Sequence, residues 1–530
     1  MRDPRGAVRR LSLALAMACA LAAPPALLAA DTPTHFTVPG SMEVDDGAPL
    51  PYENGFLLVP ENRAKPDSRL IAVRYLRFPA QTATPVPSPV VMLPGGPGSL
   101  IDEAALRSWP DTIRMIRHVT RSRDYVVLQQ RGVHDSSYAA ALDFPTAAAP
   151  LDQPLSTDAE RQRVRDGLQA GLKHWSGLGV DLTGYAVHEL VADIESLRTT
   201  LGVDTFVLYG TSFGSQWGMS YLKLHQQHVE RVVLTGLEPL DYAYDSPDGI
   251  WLALQRIGDY AARSDALSAD LRGVRLTDVY KRVFERLQRE PQRVSIQDPV
   301  TGQAVTVAVD GEDLRRVLYP VGGELRGNVE AWPKFLLELD RGDYRFLAHL
   351  AARNRQADPH NGLIELLIDN GLGISAKREA ALDREAARRW LGDINSGYTY
   401  TRDLVPTPNV GDAFRADFDI TVPTLLIQGD VDQSTPMENA ISQVPYLKNG
   451  RLVIVEGGTH GVRKEILTPA YVPGNEAFGQ AVLDFIAPVA PTPAKAQLAA
   501  MPKRIALAPF KFQSMQDPSL YDQARAKARR

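Results

Sequence analysis

The stretch TFVLYGTSFGSQWGMSYL (205–222) constrains the fold more than any other. Five β-prone residues run into Gly210-Thr211-Ser212-Phe213-Gly214, and apolar residues at helical spacing follow. A strand that turns into a helix within about four residues needs small residues where the two approach, and the glycines on either side of Ser212 supply them. Strand–turn–helix is the building unit of a parallel sheet, so the expected class is α/β.

The surrounding sequence keeps that rhythm. VVML (90–93) and DYVVL (124–128) read as buried strands. YAVHELVADIESLRTTLG (185–202) reads as a helix with a glycine stop, and VERVVLTG (229–236) as the next strand. GFLLVP (55–60) and RLIAVRYLRF (69–78) form an expected antiparallel pair ahead of them. From Glu238 to Phe418 the pattern turns helical, in WLALQRIGDYAARSDAL, LTDVYKRVFERLQRE and KREAALDREAARRWLGDI, with one hairpin near 293–311. The sheet resumes at VPTLLIQGD (422–430) and RLVIVEGG (451–458), and EAFGQAVLDFIA (476–487) closes it as a helix. The expected organisation is an α/β core at 31–237 and 419–488, a helical lid at 238–418 inserted late in the sheet, and a linker with a basic tail at 489–530.

Residues 1–30 stand apart. Arg2, Arg5, Arg9 and Arg10 precede an apolar, alanine-rich run, the composition of a secretory signal with cleavage expected after Ala30 and the alanines near Ala23 as the competing site. Pro24 and Pro25 cut the run short of a membrane span, so no stable span is expected. Arg9-Arg10 matches a twin-arginine signal poorly, and Ala16 weakens a lipid-attachment box at Cys19. Cys19 is the single cysteine, so the exported chain would have no disulfide, thiolate nucleophile or cysteine metal site. The whole chain carries −5 and residues 1–30 carry +3, leaving −8. That balance argues against nucleic acid as a partner. The tail from Pro491 is the exception, with eight Lys and Arg against Asp517 and Asp522; it is expected to be solvated or docked on the surface, with an envelope contact as the sharper alternative.

Acyl-transfer chemistry needs a nucleophile, a base, an orienter for the base and donors for the oxyanion. Ser212 is the candidate nucleophile. His460, in the Gly-rich loop after RLVIVE, is the one histidine of ten at such a strand end. His118, His174, His188, His225, His228 and His349 lie in helix-like stretches, His35 and His360 in polar turns, and His134 after QQRGV is a weaker pocket candidate. LLIQGDVDQSTP offers Asp432 as orienter, with Asp430, nearer the strand end, as an alternative suited to the turn. The order Ser, Asp, His is that of α/β hydrolases. Phe213, after the nucleophile, and Gly96, with neighbouring Gly95 in LPGGPGS, are the expected oxyanion donors.

These motifs resemble the α/β-hydrolase family of proline iminopeptidases and tripeptidyl aminopeptidases over roughly residues 50–487. GGPG at 95–98 is similar to its oxyanion motif, VVLQQRG at 126–132 to its strand ending in Asp-Gln-Arg-Gly, and GGTHG at 457–461 to its histidine loop. DIESLRTTLG at 193–202 and YGTSFGSQWGMSYLKLHQQHVERVVLTG at 209–236 are similar to its nucleophile region. GDVDQSTP at 429–436 resembles its acid loop, where the second Asp is catalytic, which favours Asp432. Pro94 and Gln129 depart from the usual His and Asp, and the segment 367–397 lacks a cysteine often present in tripeptidyl-type lids. The resemblance implies a serine exopeptidase without cofactor or metal, acting through an acyl-enzyme, and the signal segment implies that it is exported to the periplasm or secreted. It also implies rim acids that hold the substrate's amino group, for which Glu238 and Asp241 are the candidates. An esterase or lactonase using the same three residues is the alternative, and a non-catalytic binding protein is the reading from another class. Oligomeric state is not legible.

Overall fold

The computed structural model describes residues 35–44, 47–133, 141–322, 325–488 and 492–528. The expected signal segment with Cys19, and His134, lie outside these residues. Among them, the strands are β1 (His35–Met42), β2 (Leu50–Pro60), β3 (Leu70–Phe78), β4 (Val90–Leu93), β5 (Tyr125–Leu128), β6 (Asp143–Thr146) and β7 (Phe206–Thr211). They continue with β8 (Val229–Thr235), β9 (Gln292–Gln297), β10 (Ala304–Val309), β11 (Asp358–Gly362), β12 (Thr424–Gly429), β13 (Gly450–Glu456) and β14 (Arg504–Ala506).

Ten of these form one sheet in the order β1-β2-β3-β5-β4-β7-β8-β12-β13-β14. The links β1/β2, β2/β3 and β3/β5 are antiparallel and all later ones parallel. Helices cover both faces, so the central strands are unbroken apolar runs: every residue of β4, β5 and β12 is buried. The chain places β5 on one side of β4 and β7 on the other. A crevice therefore opens beyond the carboxyl ends of β4 and β7, where such sheets bind ligands. β4 runs into the Gly95–Gly98 loop and β7 into Ser212.

The helix Val187–Leu201 ends on Gly202 in the left-handed conformation, φ 66°. It is tied to the sheet by Arg131, fully buried, whose guanidinium meets Asp193 in a fork at 2.7 and 2.8 Å and donates to Glu61 O and Gly184 O. A buried pair of this kind fixes geometry because removing either partner leaves an uncompensated charge. The arginine of the QQRG motif is thus a structural pin.

The lid has its own apolar core, built around Ile257, Tyr280, Trp332, Phe335 and Leu347. Its hairpin is β9 paired with β10. The stretch read as one helix over KREAALDREAARRWLGDI is broken into Ala376–Leu382 and Arg388–Leu391. Two boundaries differ from the sequence reading. β6, from the first part of the core, pairs with β11 inside the 238–418 segment, so the lid draws on residues before Glu238 as well. Of the two placements expected for the C-terminal segment, solvated or docked, the described residues from 492 on are docked. Ala494–Ala500 is helical, β14 adds to the sheet edge beside β13, and Phe510, Phe512, Leu520 and Tyr521 pack into the lid core. Lys334 of the lid, with no exposed surface, donates to Ser514 O and Asp517 O, both at 2.7 Å. The cations of this segment mask an apolar repeat at Phe510, Phe512 and Leu520 that seats it.

No helix among the described residues is long and apolar enough to cross a membrane.

Candidate active site

Ser212 stands between β7 and the helix Phe213–His225 with φ 56° and ψ −135°, a backbone conformation costly for any residue but glycine. The close packing around it explains the flanking glycines. A Cβ on Gly210 would stand 2.3 Å from Gly214 O, and one on Gly214 would stand 2.1 Å from Leu93 O. Ser212 N donates to Thr235 O at 3.0 Å, which ties the turn to β8. Ser215, one turn into the helix, places its hydroxyl 2.6 Å from Ser212 O and accepts from Glu238 N at 2.9 Å. The Ser212 hydroxyl donates to Glu238 Oε1 at 3.3 Å.

Asp432 and His460 meet beyond β12 and β13. His460 Nδ1 lies 3.1 Å from both Asp432 oxygens, and Thr435 Oγ1 lies 3.2 Å from the same nitrogen. Asp432 is fully buried and accepts from Ser434 N, Thr435 N, Thr435 Oγ1 and Gln428 Nε2 at 2.8–3.0 Å. Four donors besides the imidazole satisfy the carboxylate and hold its plane toward the ring. Asp430 faces elsewhere: it accepts from Tyr260 Oη of the lid at 2.9 Å and from Gly457 N at 2.8 Å. Of the two acids offered by the sequence, only Asp432 contacts the histidine.

The Gly95–Gly98 loop lies against the serine. A Cβ on Gly95 would be 3.1 Å from Ser212 Cβ and 3.6 Å from Oγ, and Gly96 has φ 110°. Two glutamines brace the loop. Gln130 accepts from Gly98 N at 2.7 Å and donates to Gly95 O at 2.7 Å. Gln129 accepts from Ile101 N and donates to Ile101 O. An amide can both donate and accept, so Gln129 clamps the backbone in both directions, which an ionised Asp cannot do. Phe213 begins the helix, so its N–H is among those with no intrahelical partner.

Ser212, Gly95, Gly96, Glu238 and His460 line one cavity of about 570 Å³. Asp245, Glu365 and Asp369 line it too. Burial, then the Asp245 charge, pushes the Glu238 carboxyl up to about 8. Burial pushes Asp245 up to about 7, against the pull of Arg378. Asp369 is raised well above the usual carboxyl range by burial, then by Glu365 and Glu238. Tyr398, stacked on Tyr244 at 5.4 Å, donates to Glu365 Oε1 at 3.1 Å. A larger cavity of about 1450 Å³ in the lid shares Asp245, Glu365 and Tyr398 as its wall. This arrangement corrects one sequence expectation. Asp241 does not line the reaction cavity; its two oxygens accept from Ser375 N and Ser375 Oγ, both at 2.6 Å, tying the start of a lid helix. The acids that sequence reasoning missed are Asp245, four residues on, and Glu365 and Asp369. The last two lie four apart on the helix Leu363–Leu372, hence on one face. Two acids at that spacing in the apolar run LIELLIDNGL were the available signal.

Residues 88–265 match the family described as alpha/beta hydrolase fold, and residues 399–486 the family described as TAP-like protein. Among curated proteins, the serine protease Hip1 of Mycobacterium tuberculosis is 23% identical over 446 residues, covering 77% of this chain and 81% of Hip1. A proline iminopeptidase of Xylella fastidiosa is 27% identical over 188 residues, 35% of this chain and 40% of that protein. A probable proline iminopeptidase of Streptomyces coelicolor is 29% identical over 150 residues, 28% of this chain and 32% of that protein. The chain is a serine hydrolase with the α/β-hydrolase fold, similar to Hip1 and to the proline iminopeptidases.

Proposed function

We propose that the protein is an exported aminopeptidase that releases N-terminal residues from peptides through an acyl-enzyme on Ser212. His460 takes the hydroxyl proton as Ser212 attacks the carbonyl carbon, then gives that proton to the leaving amine. Asp432 holds the imidazole in the tautomer whose Nε2 can accept, and it stabilises the imidazolium. The N–H groups of Phe213 and Gly96, with Gly95 as neighbour, receive the negative oxygen of the tetrahedral intermediate. Water, deprotonated by His460, then releases the acyl group.

The observation that carries the peptidase reading is the wall of carboxyl groups in the serine's own cavity. Glu238, Asp245, Glu365 and Asp369 line it, and burial raises the carboxyls of Glu238, Asp245 and Asp369. Enclosed carboxyls beside a nucleophile suit a substrate that brings a positive charge. A peptide's terminal ammonium brings one, whereas a simple ester does not. Glu238 is the acid closest to Ser212 and the main proposed ligand of that ammonium; Asp241 has no such role.

A fluorophosphonate probe tests the nucleophile: absence of labelling on Ser212 at neutral pH sinks the serine mechanism. A panel of aminoacyl, prolyl and tripeptidyl p-nitroanilides set against p-nitrophenyl esters tests the substrate class. Ester turnover without anilide cleavage replaces the peptidase reading with the esterase one. Cell fractionation tests export, which rests on the composition of residues 1–30.

A further inference from the structure

The reaction cavity is also lined by cations. Trp109, Arg463 and Lys464 line it together with Ser212 and His460. The two cations differ. Arg463 is buried, donates to Thr112 Oγ1 at 3.0 Å and lies 3.7 Å from Asp111, so it is occupied within the fold. Lys464 sits over the Trp109 ring with Nζ 3.9 Å from the centroid. Among the described residues, no carboxylate lies within ion-pair distance of that ammonium. Partial burial and Arg463 both disfavour its charge, and Asp111 favours it. None of the four cavity carboxyls is among the charges acting on Lys464, nor Lys464 among the main charges acting on Glu238, Asp245 or Asp369. Carboxyls and an ammonium thus line one cavity and act little on one another.

Lys464 lies four residues after His460, in the helical turn Val462–Glu465 that begins directly beyond the catalytic loop. In the proposed mechanism the substrate's ammonium takes the side of Glu238 and Asp245, which leaves the wall carrying Trp109 and Lys464 to the leaving part of the substrate. An ammonium resting on an indole keeps its N–H donors for a further acceptor, and a carboxylate supplies both the acceptor and the missing charge.

Resting on the aminopeptidase reading, we propose that Lys464, seated on Trp109, binds the free C-terminal carboxylate of a short peptide's leaving part. The cavity then reads both ends of a zwitterion, the ammonium on the Glu238 side and the carboxylate at Lys464. Its size, about 570 Å³, accommodates a small ligand such as a short peptide. Di- and tripeptides are the substrate class this selects.

The test compares each of several di- and tripeptides as its free acid and as its C-terminal amide, following kcat/KM by amino-acid release. For the wild type the acid is expected to exceed the amide by about tenfold, the worth of one charge-assisted contact. In Lys464→Met this ratio is expected to fall toward one, and in Lys464→Arg, which keeps the charge, to be largely retained. The ratio is internal to each protein, so partial loss of folded enzyme does not alter it. A ratio near one in the wild type, or unchanged in Lys464→Met, overturns the role of Lys464 while the peptidase reading stands. Failure to cleave either form, with p-nitrophenyl esters still hydrolysed, overturns both.

Discussion

Replacing Glu238 by Gln should stabilise the protein while impairing it. The carboxyl is raised from 4.5 to about 8. Below pH 4.5 both the folded and the unfolded chain hold this proton, and the group contributes no pH dependence. Between pH 4.5 and 8 the unfolded chain releases it and the folded chain keeps it, so stability falls as pH rises. At about 1.4 kcal/mol per pH unit, the deficit reaches about 3 kcal/mol at pH 7 and about 5 kcal/mol above pH 8. Glutamine keeps the shape and removes the titration. Because Glu238 retains some contact with the cavity, these figures are ceilings. Unfolding entropy grows with chain length, so each kcal/mol moves the midpoint of a chain this long by about 1 °C. Thermal melts of Glu238→Gln and wild type should therefore coincide near pH 4.5 and separate by up to about 3 °C at pH 7, the variant being higher. KM for a free-amine anilide should rise in the same variant. A melting difference that stays flat from pH 5 to 8 would refute the half-buried, proton-holding Glu238. An unchanged KM would refute its contact with the substrate ammonium.

Three further outcomes follow from the same geometry. Asp432→Asn leaves an amide that can present the wrong hydrogen-bonding group to His460 Nδ1; kcat should fall by about four orders of magnitude, with the fold intact by circular dichroism. Gly214→Ala puts a methyl 2.1 Å from Leu93 O, a backbone atom that cannot turn aside. A loss of at least about 3 kcal/mol is expected, seen as a collapse of soluble yield, and a stable, active alanine variant would contradict the close approach. The pH dependence of 1/KM for free-amine substrates should rise through pH 6–8 as first Asp245 (about 7) and then Glu238 (about 8) ionise. It should fall again above about pH 8 as the substrate amine loses its proton; a flat profile would separate binding from these acids.

The parts legible in the sequence are those set by local backbone constraints. Gly210 and Gly214 are required where strand and helix nearly touch, so the turn at Ser212 could be read before any tertiary contact was known. The sheet strands were legible because burial on both faces leaves unbroken apolar runs such as VVML and TLLI. His460 could be placed because it follows such a run directly. Asp430 and Asp432 leave the same strand two residues apart, and only the loop's fold decides which meets the ring. Glu238, Asp241 and Asp245 lie beyond the last strand before the lid, where the path of the chain depends on lid packing; Asp241 turns to Ser375 and Asp245 to the cavity. β14 was invisible for a related reason. It is three residues long, and its partner β13 lies about fifty residues earlier, so nothing local marks it as a strand.

The claim that this is a serine exopeptidase reading a free amine is tested most directly by one rate comparison. It sets an aminoacyl p-nitroanilide against its N-acetylated form, with wild type and Ser212→Ala. The account predicts that wild type cleaves the free-amine substrate, that acetylation lowers kcat/KM by about 100-fold through loss of the ammonium–carboxylate contacts, and that Ser212→Ala cleaves neither. Equal cleavage of the acetylated substrate, or activity retained without the serine hydroxyl, would contradict it.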